Sequence, residues 1–366
     1  MSYFKTYVSN TYAGSANQHV FAMNEGDVCK SRIFYKITSS GEYKYSLLFS
    51  SIVDGSFRRI GKPNTICDEW KIHAARVGRC VDFPEEKSVC EISLDDDLNV
   101  TWLDKLTFDG EKDYTPDGGE LFCSDPLTLY FEKGDHLCVE LTFSGAVLPY
   151  HPEIQVPSYV FKRGVWEYSV ETPVPCMIGC NRKVEKRVAF VGDSITQGCG
   201  AGINSYKHWN ATLSSLLGDK NGYWNLGIGY GKVSDAASDG VLMFKALQND
   251  IVFVCYGVND INSGKDADTI VSELHSVVDE LREHSCRVFL QTVPPFDYPE
   301  ERRIVWEEVN RRIKCEFTDK TELVFDCVPI LGKENAPHMA KFGGHPDAEG
   351  CTLWANALYD AVKDIV

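Results

Sequence analysis

A change of hydrophobic rhythm near residue 180 constrains this chain more than any other feature. From Lys186 onward, short and nearly continuous apolar runs alternate with segments of helical spacing. Residues 187–191, 224–228, 251–255, 287–293 and 322–325 read as strands, and 205–217, 235–247, 267–284, 300–317 and 347–366 as helices. A strand that is apolar without alternation is covered on both faces, and strands joined through helices run parallel. Together these rules leave a parallel sheet covered by helices on both faces.

The first half has a different rhythm. Short runs rich in β-branched and aromatic residues occupy 32–38, 43–50, 70–77, 100–108, 127–132, 137–143 and 166–170. Turn signals such as Ser39-Ser40-Gly41, Asp109-Gly110, Pro116-Asp117-Gly118-Gly119 and Lys133-Gly134-Asp135 separate them. Many short strands with Gly/Asp turns predict an all-β sandwich. At 366 residues the chain exceeds what one core sustains. The expected division is a β-sandwich domain over 1–183 and an α/β domain over 184–366. The stretch 173–181, with its two prolines and a glycine, is the expected linker.

Charge and cysteine usage narrow the function classes. The 53 acidic residues against 37 basic ones leave a net charge of −16, which repels a phosphate backbone and excludes nucleic acid as a partner. No run of 18 apolar residues is present, so no membrane span is expected, and the N-terminus lacks the apolar core of a signal peptide. The fourteen cysteines fall mostly inside apolar runs, as at Cys138, Cys255, Cys286 and Cys327. They read as free thiols in a reducing cytoplasm. Cys176 and Cys180 are close in sequence, but no second pair or histidine cluster accompanies them, so no metal is expected.

Four blocks at strand ends and in one loop carry the chemistry. The first apolar strand ends in Gly192-Asp193-Ser194-Ile195. Ligands of open α/β sheets sit beyond the carboxyl ends of the strands, so Ser194 is placed to act as a nucleophile. The second strand runs into Gly227-Ile228-Gly229-Tyr230-Gly231, whose glycines admit backbone N–H groups close to a ligand. The third runs into Gly257-Val258-Asn259-Asp260, where Asn259 offers a side-chain amide to a developing oxyanion. Gly343-Gly344-His345-Pro346, before the last helix, offers a positioned base. Taken singly, each has a plain structural reading: a cap serine, a glycine turn, an Asx turn, a surface histidine.

In combination and in this order, the blocks resemble the SGNH (GDSL) hydrolase family. The resemblance implies a flavodoxin-like three-layer α/β/α fold and a serine esterase with no cofactor, in which Ser194 attacks an ester carbonyl and His345 transfers the proton. The oxyanion would be held by the N–H of Ser194, by that of Gly229 (Gly231 is the alternative) and by Asn259. Asp193 and Asp260 would support the loops. The family usually carries an aspartate three residues before the histidine, but here that position is Phe342. The orienting group for His345 is then a backbone carbonyl, Asp326 or Glu334.

The stretches 108–110, 116–126 and 134–141 resemble the jelly-roll-like N-terminal domain of family 2 carbohydrate esterases. A small acyl ester, acetyl on a carbohydrate, is therefore the expected partner. A lysophospholipase or thioesterase, or a carbohydrate-binding protein on a hydrolase scaffold, are the competing readings. Trp209 and Trp354 read as packing residues, His151 as a loop histidine, and Cys199 as a thiol close to the active site.

Overall fold

The computed structural model describes residues 2–14, 16–56, 63–332, 340–341 and 344–366. The chain forms two compact units. Met1–Val53 and Asn64–Lys183 make the first, and Asp54–Pro63 and Val184–Val366 the second.

The first unit is built on two antiparallel sheets. One is six-stranded, in the order Val165–Tyr168, Ser158–Lys162, Cys29–Lys36, His136–Gly145, Trp70–Cys80, Val100–Leu106. The other runs Val8–Ser9, Met177–Cys180, Gly41–Ser50, Leu121–Cys123, with Leu127–Phe131 also paired to Gly41–Ser50. Side chains alternate between faces along a strand. In Cys29–Lys36, however, Ile33, Phe34 and Tyr35 are all fully buried, so both faces of this sheet are covered. On the Phe34 face the cover is Phe83, Ile92, Leu94 and Leu98, packed with Cys80, Cys138 and Tyr159. Between the sheets, Trp70 meets Phe122 at 5.8 Å between ring centroids, and Phe122 stacks on Phe49 at 5.4 Å. The result is a β-sandwich.

The segment expected to be a linker is different in the structure. Met177–Cys180 is a fully buried strand between Val8–Ser9 and Gly41–Ser50. Gly179 makes room there for the Tyr3 ring, whose hydroxyl donates to Ser46 O at 2.6 Å. Four apolar residues between prolines and a polar turn are too few to carry a periodic signal.

In the second unit the strands β1 (Arg187–Gly192), β2 (Gly222–Gly227), β3 (Ile251–Cys255), β4 (Arg287–Gln291) and β5 (Leu323–Phe325) are all parallel, in the order β2-β1-β3-β4-β5. This is the flavodoxin-like order. The chain reverses direction at β1, which opens a crevice beyond the carboxyl ends of β1 and β3. The helices are α1 (Ser194–Gln197), α2 (Trp209–Leu217), α3 (Val233–Ala237), α4 (Val241–Ala246), α5 (Val258–Asn262), α6 (Ala267–Glu283), α7 (Glu300–Glu316), α8 (Val328–Leu331) and α9 (Ala348–Val362).

One layer joins α2 to α9, where Trp209 and Trp354 stack at 5.0 Å and the Trp354 indole donates to Gln291 Oε1 at 2.8 Å. Both tryptophans are core. In the other layer α6 packs on α3 and α7. It buries Ile270, Val271, Leu274, Val277, Val278 and Leu281 as its spacing predicts, and Asp266 caps it by accepting from Thr269 N at 2.8 Å.

Two helices differ from expectation. The one expected over 205–217 starts only at Trp209. The one expected over 235–247 is two, because Gly240 is extended (φ −142°) and starts α4 afresh. Leu274→Ala removes a fully buried side chain from α6, and unfolding in urea should show the second unit destabilised by about 2–5 kcal/mol.

Candidate active site

The site is built from the carboxyl ends of β1, β2 and β3. At the end of β1, Asp193 caps α1 by accepting from Ile195 N at 3.0 Å, which leaves Ser194 as the first helical residue. Its N–H belongs to the helix N-terminus, where amides lack intrahelical acceptors. Ser194 is 9% exposed, and its Oγ lies 2.7 Å from His345 Nε2. His345 arrives on a short antiparallel bridge, Ala340–Lys341 with His345–Pro346. Gly344 precedes it at φ +112°, and a Cβ there would lie 2.8 Å from Phe296 Cα. The Phe296 ring stands edge-on to the imidazole at 5.4 Å. Next to the half-buried Cys199, a Cβ on Gly200 would come within 3.0 Å of His345 Cβ, so the 199–200 turn lies against the histidine.

The turn after β2 distinguishes the two candidate glycines. Ile228 N donates to Gly192 O at 3.0 Å, tying this turn to the end of β1. The Gly231 N–H donates to Ile228 O at 3.0 Å and is thereby occupied. Gly229 sits in the middle of that turn, and among the described residues its N–H meets no acceptor. Tyr230 holds the other central position at φ +57°, a left-handed conformation that ordinarily favours glycine, and is 45% exposed.

From the end of β3, Asn259 Nδ2 donates to Gly231 O at 3.1 Å, which fixes the turn and leaves the amide a second hydrogen. Asp260 is fully buried, accepts from Val233 N at 3.0 Å and pairs with Lys265 at 2.8 Å. It ties the start of α3 to α5.

Of the groups considered for orienting His345, Asp326 is engaged elsewhere. Its Oδ1 accepts from Thr292 Oγ1 and Val328 N, and its Oδ2 pairs with Lys314 at 3.0 Å. Glu334 and Phe342 lie outside the described residues. His151 is a buried residue of the first unit. Phe296, which the motif reading missed, follows Pro294-Pro295 just beyond β4, and its position after a strand's carboxyl end was the available signal. Among the described residues, no group of three or more His, Cys, Asp or Glu side chains is placed to hold a metal ion. No helix among them is long and apolar enough to cross a membrane.

A doubly wound sheet with a serine and open N–H donors at its strand ends, and a histidine brought in before its last helix, has the makeup of a carboxylic ester hydrolase. Residues 190–353 match the sequence model of the GDSL-like Lipase/Acylhydrolase family. No curated protein matches the chain by sequence. Among solved structures, it is similar to a family two carbohydrate esterase from Clostridium thermocellum, with 13% identity over 98% of this chain and 97% of that one and a TM-score of 0.42. It is also similar to a member of the lipolytic G-D-S-L family from Veillonella parvula (18% identity, 49% and 99% of the two chains, TM-score 0.41). A third similar structure is an acetyl-xylooligosaccharide esterase from Geobacillus Stearmophilus (21% identity, 49% and 94%, TM-score 0.40).

Two predictions concern the carboxyl groups of Asp193 and Asp326. Burial pushes the Asp193 carboxyl from its ordinary 3.8 up to about 7; the Ile195 N–H pulls it down and Asp260 pushes it up. Between these values the native state holds a proton that the unfolded state has released, so stability falls as pH rises from 4 to 7. Asn caps a helix as well as Asp and has no proton to lose. Urea titrations at pH 4 to 8 should therefore show Asp193→Asn gaining on the wild type as pH rises. Asp326→Asn should leave ester turnover within about twofold, because this carboxylate acts on Thr292 and Lys314. A thousandfold loss in kcat would instead identify it as the orienting acid.

Proposed function

We propose that this protein hydrolyses small acyl esters, acetyl esters of carbohydrates in the first place, through a Ser–His acyl-enzyme route. The observation that carries the reading is the 2.7 Å contact of Ser194 Oγ with His345 Nε2, together with a Gly229 N–H that meets no acceptor among the described residues. In the proposed reaction Ser194 Oγ attacks the ester carbonyl while His345 Nε2 takes its proton. The tetrahedral oxyanion lies against the N–H groups of Ser194 and Gly229 and the second hydrogen of the Asn259 amide. Removing one such donor costs roughly 3–4 kcal/mol of transition-state stabilisation. Collapse expels the alcohol, which receives the proton from His345. Water, deprotonated by the same imidazole, then releases the acid.

The small-acyl preference is supported by the burial of Ser194 and by the Phe296 ring against His345. The carbohydrate preference is supported by the jelly-roll-like turns of the first half. A net charge of −16 disfavours anionic lipid headgroups.

Chromogenic esters of graded chain length test the reading. Acetyl esters should turn over fastest, and Ser194→Ala should reduce kcat by at least about a thousandfold. Preference for octanoyl over acetyl would move the assignment to a lysophospholipase or thioesterase. A wild type that cleaves no ester yet binds oligosaccharides would make it a binding protein.

A further inference from the structure

The catalytic unit is not continuous in sequence. Asp54–Pro63 leaves the first unit after Val53 and clusters with residues 184–366. The start of this segment is firmly held. Asp54 Oδ1 meets Lys245 Nζ of α4 at 2.5 Å, and both side chains are 0% exposed. A Cβ on Gly55 would stand 3.0 Å from Ile228 Cδ1 and 3.6 Å from Asp235 Oδ2. The side chain and backbone of Ser56 act on the Asp235 carboxyl against the upward push of burial. That same carboxylate accepts from Lys232 N at 3.0 Å.

Ile228 and Lys232 are the residues on either side of the Gly229–Tyr230–Gly231 turn. One of them rests on Gly55 and the other is tied to Ser56 through Asp235. A buried ion pair adds little stability over an apolar replacement, but it holds its partners in one geometry. Here the partners are the inserted segment and α4, the second helix after the turn.

We infer that Asp54, Gly55 and Ser56, clamped by Lys245, are positioning residues that hold the Ile228–Lys232 turn with the Gly229 N–H facing the reacting carbonyl. This rests on the assignment of Gly229 as an oxyanion donor. A turn seated on a segment inserted from the β-rich half has its donor aligned before substrate arrives, which is where the benefit of a pre-formed oxyanion site lies. It also accounts for the strained backbone of Tyr230, which persists only where both ends of the turn are tied down.

The test uses the full-length chain and steady-state kinetics on a chromogenic acetyl ester, at a temperature where circular dichroism shows each variant folded. Gly55→Ala presses a methyl group on Ile228, and Ser56→Ala releases Asp235. Each should lower kcat about tenfold with KM within twofold, short of the roughly hundredfold that a 1 Å misplacement costs. Ser56→Thr keeps the hydroxyl and should recover most of the loss. The double change Asp54→Leu with Lys245→Met leaves no unpaired buried charge and should also lower kcat at constant KM. With Ser194-dependent turnover present in the wild type, the inference is overturned if folded Gly55→Ala, Ser56→Ala and the double variant keep kcat within twofold. It is likewise overturned if they change KM alone, or if activity falls only in proportion to folded protein. Absence of Ser194-dependent turnover in the wild type would overturn the functional reading itself, and this inference with it.

Discussion

Close backbone packing at the carboxyl end of β1 is the constraint on which the rest of the catalytic unit depends. A Cβ at Gly192 would lie 2.1 Å from Thr196 Oγ1 and 2.5 Å from Cys255 O, and one at Gly227 would lie 2.2 Å from Gln197 N. Only glycine at both positions lets β1, β2 and β3 end together around the first turn of α1. Because they do, Ile228 N reaches Gly192 O, Asn259 reaches Gly231 O, and Ser194 stands between them at a helix N-terminus. The chemistry of the site is thus a consequence of how near three strand ends can approach.

The supporting charges are buried but specifically bonded. Asp193 caps α1, Asp260 holds Val233 and Lys265, Asp235 holds Lys232, and Asp54 holds Lys245. Taking a carboxylate out of water is expensive, and each of these side chains recovers part of that cost by fixing a loop. They divide into two sets. Asp193 and Asp260 lie behind Ser194 and the third strand end, whereas Asp235 and Asp54 lie behind the turn that carries Gly229. The net acidity of the chain says nothing of this arrangement, which depends on individual partners.

Much of the fold was legible along the chain. The apolar run 251–255 and the spacing over 267–284 coincide with β3 and, to within a residue, with α6, because a buried strand and a long amphipathic helix impose patterns several residues long. Elements set by fewer residues left no such trace. Met177–Cys180 is too short to stand out from its prolines. The break at Gly240 depends on one extended residue, and α2 begins late because residues 201–208 are used for turns, including Asn204 and Tyr206 at positive φ. Phe296 was missed because an apolar residue in a loop has no signature until its neighbour is known.

The sequence by itself determined the local chemistry: which strands form, which turns need glycine, and which residue types stand at the strand ends. These follow from sterics and hydrophobic period, which act over a few residues. Tertiary structure alone decided the rest. It brought Ser194 and His345 together across 151 positions, and among the described residues it left the Gly229 N–H open while closing that of Gly231. It also drew Asp54 out of the β-rich half and onto Lys245, 191 positions away. Hydrogen bonds and ion pairs of this kind depend on distance in space, and no periodicity in the chain encodes a distance between residues so far apart.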